Sequence, residues 1–315
     1  MYEQYYGFRM QPFELTSNPR FLLLTPTHRE ALSTLEYGIS ARKSITVLIG
    51  EAGTGKTTLL RTALAFRDGV YPGTDCVYLQ NPRISGREFY ERLALDFDLG
   101  GEAVASKTIL MRRLEQRLAT RRTAGRTTAL VVDEAHTLSD DLLEELRLLA
   151  NIELQNEKLL PLVLAGPQQL ADRLNEPQLR QLKQRVALRC RLLPLNAQDT
   201  ATSIYGRVKL AGGDCLKIFT REAIWAVCAA SGGIPRTTSV ICDNALISGF
   251  ALQRRPVTVD IIEEVCRDLD IAERTVAAHG RAIAPAATAA DRAGERAAAA
   301  VRPLAGMLGQ SRRAQ

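Results

Sequence analysis

No run of 18 or more apolar residues occurs in this 315-residue chain, which excludes a membrane-spanning helix of ordinary length. The first residues, Met1-Tyr2-Glu3-Gln4-Tyr5-Tyr6, offer neither the basic start nor the apolar stretch of a secretory leader. Six cysteines are present (Cys76, Cys190, Cys215, Cys228, Cys242 and Cys266), yet no two of them form a C-x-x-C pair. That spacing argues against a zinc site and for buried, reduced thiols. The expected location is therefore the cytoplasm, with recruitment to the inner face of the cytoplasmic membrane left to a partner. Excess charge is scarce as well. The net charge is +6, from 41 Lys and Arg against 35 Asp and Glu. Residues from Ile271 onward hold seven Arg and three acids, which leaves 34 against 32 in 1–270. So balanced a body argues against a broad polyanion-docking face, and the basic character belongs mainly to the tail.

What the chain does have is Gly50-Glu51-Ala52-Gly53-Thr54-Gly55-Lys56-Thr57, followed by Thr58. It comes directly after the apolar run 44–49 and opens the helix-prone segment 58–64. Strand, glycine-rich turn and helix with the spacing G-x-x-x-x-G-K-[ST] make a phosphate-binding loop. The glycines let successive backbone N–H groups face a phosphate, and the helix adds its positive end. Lys56 is expected to reach the β- and γ-phosphates and the Thr57 hydroxyl to ligate Mg²⁺. The loop residues Gly50, Glu51, Ala52, Gly53, Thr54, Gly55, Lys56, Thr57 and Thr58 are thus the candidate nucleotide-binding set. The other half of such a site is a buried strand ending in acid. Thr127-Thr128-Ala129-Leu130-Val131-Val132 is apolar and β-branched, and it ends in Asp133-Glu134-Ala135-His136. Asp133 is the candidate Mg²⁺ ligand. Glu134 is placed to orient or deprotonate the attacking water. Hydrolysis of ATP with Mg²⁺ is the chemistry this pair of motifs implies.

Around the motifs, strands and helices alternate. Further strands are expected at 75–79, at 159–165 with Pro161 near its start, and at 186–193. Helices are expected over 86–97, over 106–122, where a basic amphipathic pattern reads as a solvated face, and after the Ser139 cap. This alternation predicts an α/β domain, a parallel sheet with helices on both faces and ligand at the carboxyl ends of its strands. From Asn196 the pattern becomes helical, over 197–210, 220–230, 235–252 and 258–269. The tail beyond Ala272 is rich in Ala and Arg and is expected to be disordered.

The layout of a P-loop sheet domain followed by a small all-helical lid is that of AAA+ ATPases. The chain resembles in particular the ExeA-like (general secretion pathway protein A) AAA+ family. The resemblance is carried by Tyr5-Tyr6-Gly7-Phe8, Pro12-Phe13, Asn18-Pro19-Arg20-Phe21, His28-Arg29-Glu30-Ala31-Leu32 and Leu35-Glu36-Tyr37-Gly38. It continues through the phosphate loop, Leu146-Arg147-Leu148-Leu149-Ala150-Asn151-Ile152-Glu153, Gln184-Arg185-Val186 and Gly232-Gly233-Ile234-Pro235-Arg236, and covers about residues 1–270. It implies four parts: an N-terminal adenine-side segment (1–43), the P-loop α/β domain (44–195), the helical lid (196–271) and the tail (272–315). It further implies that Pro12-Phe13 and the 28–37 helix wall the adenine. Arg236 is expected to reach the γ-phosphate. Arg185 is expected to serve as an arginine finger toward a neighbour's nucleotide, with Arg180 and Arg189 as competitors. A finger acting in trans requires a homo-oligomer.

Two departures stand out. Gly166-Pro167-Gln168 replaces the family's Gly-Gln-Pro, which displaces the polar sensor after the fourth strand, and Thr237-Thr238-Ser239 follows Gly-Ile-Pro-Arg. The resemblance implies an ATPase that energises or regulates assembly of a bacterial envelope export system, of the type II secretion or exopolysaccharide kind, with that system's components as partners. The alternative is an ATP-switched DNA-binding regulator of the transposition-protein type, which the balanced charge of 1–270 disfavours.

Overall fold

Among the described residues seven strands form: β1 (Ile45–Gly50), β2 (Thr74–Leu79), β3 (Thr127–Val132), β4 (Glu153–Leu154), β5 (Glu157–Lys158), β6 (Leu162–Gly166) and β7 (Val186–Leu192), with β1, β3 and β6 the runs richest in β-branched and aliphatic residues. The computed structural model describes residues 1–16, 19–65, 74–80 and 83–271. These fall into two units. One holds Pro26–Ala52 and Lys56–Leu192; the other holds Met1–Thr25, Gly53–Gly55 and the chain from Leu193 onward. The expectations for Asn18, for the 72–73 and 81–82 strand boundaries and for the tail 272–315 lie outside the described residues.

In the first unit five strands make one parallel sheet in the order β2-β3-β6-β1-β7. Every residue of β1 and β6 is buried, because both faces of the central strands are covered. Helices Gly86–Asp96 and Lys107–Thr123 supply part of that cover through Phe89, Leu93, Leu110, Leu114 and Leu118, each at most 2 % exposed. Each such side chain contributes about 1.5–3 kcal/mol by leaving water. Local chemistry sets the helix ends. Ser85 and Glu88 form a reciprocal capping box, and the Ser106 and Ser139 hydroxyls accept the N–H groups of Ile109 and Leu142.

The fourth main strand begins later than its apolar run suggests. Pro161 lies just outside β6, and its carbonyl accepts the Leu130 N–H at 3.0 Å. Proline can accept there but cannot donate, so the regular ladder starts at Leu162. The hairpin β4–β5 gave no sequence signal: Gln155 and Asn156 turn it with φ of 49° and 66°. Arginines on and just after the Lys107–Thr123 helix are tied to acids. Arg113 pairs with Glu102, Arg117 with Asp98, Arg122 with Glu157, and Arg121 and Arg126 both with Asp75.

The second unit is a bundle of Ala197–Leu210, Cys215–Ile218, Arg221–Ser231, Pro235–Ala251 and Val259–Asp268, joined by the N-terminal helix Tyr2–Tyr6. Asn196 and Thr220 cap two of its helices. The segment expected to wall a base is split between the units, and Phe13 serves the bundle core. Phe13 is 0 % exposed and meets Phe219 edge-on at 6.2 Å, while the Tyr2 hydroxyl donates to Asp243 at 2.5 Å. A ring this fully enclosed has no face left for a nucleobase. Arg207 stacks on Phe21 and donates to the Pro12 carbonyl, which holds the segment down from the bundle side. The six cysteines are free thiols, and burial pushes Cys190, Cys215 and Cys228 up to about 12.

Candidate functional site

β1 ends at Gly50, and the helix Lys56–Ala65 begins six residues later. Between them Gly53 and Gly55 have φ of 83° and 100°, a region that side-chain-bearing residues seldom enter. A Cβ on Gly53 would also stand 2.9 Å from Arg236 Cβ and Ile234 Cγ2. Gly55 has open space where a Cβ would go, so its need for glycine is conformational. Lys56 is only 4 % exposed, and its ammonium donates to the carbonyls of Gly50 at 3.0 Å and Glu51 at 3.3 Å. The loop is wound around its own lysine.

β3 delivers the acids. It lies two places from β1 in the sheet, with β6 between them, so the two carboxyl ends open side by side. Asp133 continues the ladder one step, its N–H donating to Leu79 O at 2.9 Å, and is 1 % exposed. Its Oδ2 accepts the Thr57 hydroxyl at 2.6 Å and the Tyr78 hydroxyl at 2.8 Å, while Oδ1 accepts the Glu134 N–H at 3.0 Å. Glu134 stands in the left-handed region, with φ 53° and ψ 38°. Its carboxylate lies 3.9 Å from Lys56 Nζ and 3.3 Å from His136 Nδ1, the latter without hydrogen-bond alignment. Burial and the neighbouring Asp133 push the Tyr78 phenol upward, so it remains a donor.

The structure brings Lys56, Thr57, Asp133 and Glu134 together. It does not bring Arg185 to them. Arg185 is exposed and immediately precedes Val186, which registers with Ile45 at the amino end of β1. Five strand residues, roughly 16 Å, separate that level from Gly50. Arg180 and Arg189 are exposed too. Gln168, the displaced sensor candidate, starts the helix Gln168–Arg173 and donates to Asp172 at 2.9 Å on its own helix.

In the bundle unit, Gly232 caps Arg221–Ser231 with φ 57°, and Pro235 opens the next helix where its missing N–H costs nothing. Gly233, at φ 75°, passes so close to Leu195 that a Cβ would lie 1.8 Å from its carbonyl oxygen. This turn presents Arg236 at the second position of its helix, with its N–H donating to Gly53 O at 3.2 Å. Two residues near the acids had no sequence signature. Tyr78 reads as one more aromatic in a strand. Arg173 donates to the carbonyls of His136 and Leu138, both at 2.7 Å, and pairs with Asp140, which fixes the loop after the acids.

The donor set fits Mg²⁺ with a nucleotide. Mg²⁺ takes hard oxygen ligands and needs only one or two from protein beside phosphates and water, as Thr57 and Asp133 supply. Among the described residues no group of three or more His, Cys, Asp or Glu could hold a metal ion by itself. An ammonium that donates to carbonyls of its own loop, in a turn with two glycines at positive φ, suits a polyphosphate.

This strand order with its phosphate loop defines a P-loop AAA fold, and solved structures agree. Cdc6p from Pyrobaculum aerophilum superposes with a TM-score of 0.63 at 16 % identity, covering 82 % of this chain and 70 % of that one. The Aeropyrum pernix ORC2 protein gives 0.61 at 14 %, over 83 % and 72 %. At such identities the likeness concerns the fold alone. The family model AAA_22, an AAA domain, matches residues 39–174. General secretion pathway protein A of Aeromonas hydrophila is 38 % identical over 252 residues, 80 % of this chain and 45 % of that protein. Together these matches support an AAA ATPase similar to general secretion pathway protein A. The chain spans less than half the length of that relative. Among the described residues, no helix is long and apolar enough to cross a membrane.

Proposed function

We propose that the chain binds Mg·ATP and hydrolyses it to ADP and phosphate. The observation that carries this reading is the meeting of Lys56, Thr57, Asp133 and Glu134 at the carboxyl ends of β1 and β3. The backbone amides of Gly50–Thr58 and the N-terminus of the Lys56–Ala65 helix hold the phosphates. Lys56, once it exchanges its loop carbonyls for phosphate oxygens, offsets their charge. Thr57 and Asp133 would hold Mg²⁺, which when bound neutralises charge on the phosphates. Glu134 orients the attacking water and accepts its proton. Its place beside Lys56 and His136, on a loop fastened by Arg173, supports that assignment. Arg236 and Arg185 keep the roles the resemblance gives them: Arg236 senses the γ-phosphate, and Arg185 acts on a neighbouring copy's nucleotide in a homo-oligomer. The distance of Arg185 from its own loop is compatible with action in trans.

On the relative's name, the energy of hydrolysis goes to assembling or regulating an envelope export system, with the chain acting at the cytoplasmic face of the membrane. The DNA-switched reading is weaker. Five arginines on and just after the basic Lys107–Thr123 helix, which could otherwise meet a polyanion, are already engaged by carboxylates.

Steady-state ATP hydrolysis with and without duplex DNA at low salt tests both readings, with Glu134→Gln as the blank. Glu134→Gln should retain ATP and turn it over about a hundredfold slower. Unchanged turnover in that variant removes Glu134 from the mechanism. Stimulation by DNA that vanishes as salt rises would replace the export reading with the regulator.

A further inference from the structure

Asp133 accepts hydrogen bonds at both carboxylate oxygens, and one donor comes from outside the two sequence motifs. Tyr78 sits on β2, where it registers with Val131, and its hydroxyl reaches the same Oδ2 that the Thr57 hydroxyl occupies. The carboxylate is 1 % exposed, so solvent has little access to replace a lost partner. The ladder bond from Asp133 N–H to Leu79 O fixes the backbone of Asp133 against β2, one residue beyond Tyr78. The edge strand therefore grips Asp133 twice, through main chain and through phenol. Toward this carboxylate, which only accepts, the phenol is the donor.

We propose that Tyr78 is a positioning residue for the cation site: its hydroxyl fixes the Asp133 carboxylate so that Oδ2 stays turned toward Thr57. The proposal rests on the reading of Thr57 and Asp133 as the protein's Mg²⁺ ligands. Its physical basis is that a partner hydrogen-bonded to a metal-ligating group holds that ligand's orientation, and losing such a partner typically weakens metal affinity or activity by about 10- to 100-fold. Tyr78 belongs to neither motif and its hydroxyl donates to Asp133, so its effect should appear in the cation dependence and not in nucleotide affinity itself.

The test uses the full chain and Tyr78→Phe, which keeps the partly exposed ring and removes only the oxygen. Binding of a fluorescent ATP analogue is titrated with Mg²⁺, and binding without Mg²⁺ and the melting temperature of the nucleotide-free protein are measured alongside. The expected result is a Mg²⁺ midpoint raised about tenfold, within the range for lost outer partners, with metal-free binding unchanged. A purely structural role would lower the melting temperature and leave the midpoint alone, and that outcome overturns the proposal. Thr57→Val separates the two levels of inference. If its midpoint rises and that of Tyr78→Phe does not, Tyr78 is no positioning residue. If neither moves, the cation site itself has been misread and the proposal goes with it.

Discussion

Glu134 is a non-glycine residue held at φ 53°, beside the residues whose chemistry it serves. A left-handed backbone costs an L-residue roughly 1–2 kcal/mol, and such strain persists where the surroundings over-determine it. Here the Glu134 N–H is taken by Asp133, and the loop beyond is clamped by Arg173. A trade between stability and turnover should follow. Glu134→Gln keeps the strain, whereas Glu134→Gly relieves it at the price of a looser unfolded chain. The glycine variant should therefore melt above the glutamine variant, by about 2–4 °C for each kcal/mol recovered, while both hydrolyse poorly. Differential scanning calorimetry on the pair checks this, and equal or reversed melting temperatures would show the backbone to be unstrained. Lys56 and Asp133 were legible in sequence because their motifs are local and need specific residue types. Tyr78 and Arg173 were not, since their roles depend on which strand lies beside β3 and on which carbonyls a distant guanidinium meets.

At the scale of elements, the Gly232-Gly233-Ile234-Pro235 turn couples two helices through a backbone approach that leaves no room at Gly233. Gly233→Ala would combine a positive φ with a clash against Leu195. The expected loss is at least about 2 kcal/mol, seen as a fall in melting temperature of roughly 4 °C or more. Gly55→Ala, by contrast, meets no neighbouring atom and should suffer only the conformational part. The main strands and long helices were readable because period and burial agreed along each of them. Ala197–Leu210 was placed to the residue, and the structure adds the Asn196 cap that starts it. The hairpin β4–β5 and the short helices Gln168–Arg173 and Cys215–Ile218 escaped because so few residues carry no period. Phe13 sits in a core and not against a base, and nothing local announces it, since its partner, Phe219, is some two hundred residues away.

For the whole molecule, the question is whether one chain suffices. The four residues at the carboxyl ends of β1 and β3 come from one copy, and Arg185 lies at the other end of its sheet. Arg185→Ala should keep its nucleotide affinity yet turn over slowly, and mixing it with Glu134→Gln should restore part of the rate. Absence of restoration at every ratio would count against a finger in trans. The position of β7 has another consequence. It is the margin of the sheet, and its outward positions carry Arg189 and Arg191. An open strand edge is a template for unwanted pairing, and charged side chains along it discourage a second strand from settling there. The two arginines thus act as a guard against aggregation. Replacing both with valine should leave the fold intact and make concentrated solutions scatter light, and the wild-type chain should approach the same behaviour when high salt screens the guard.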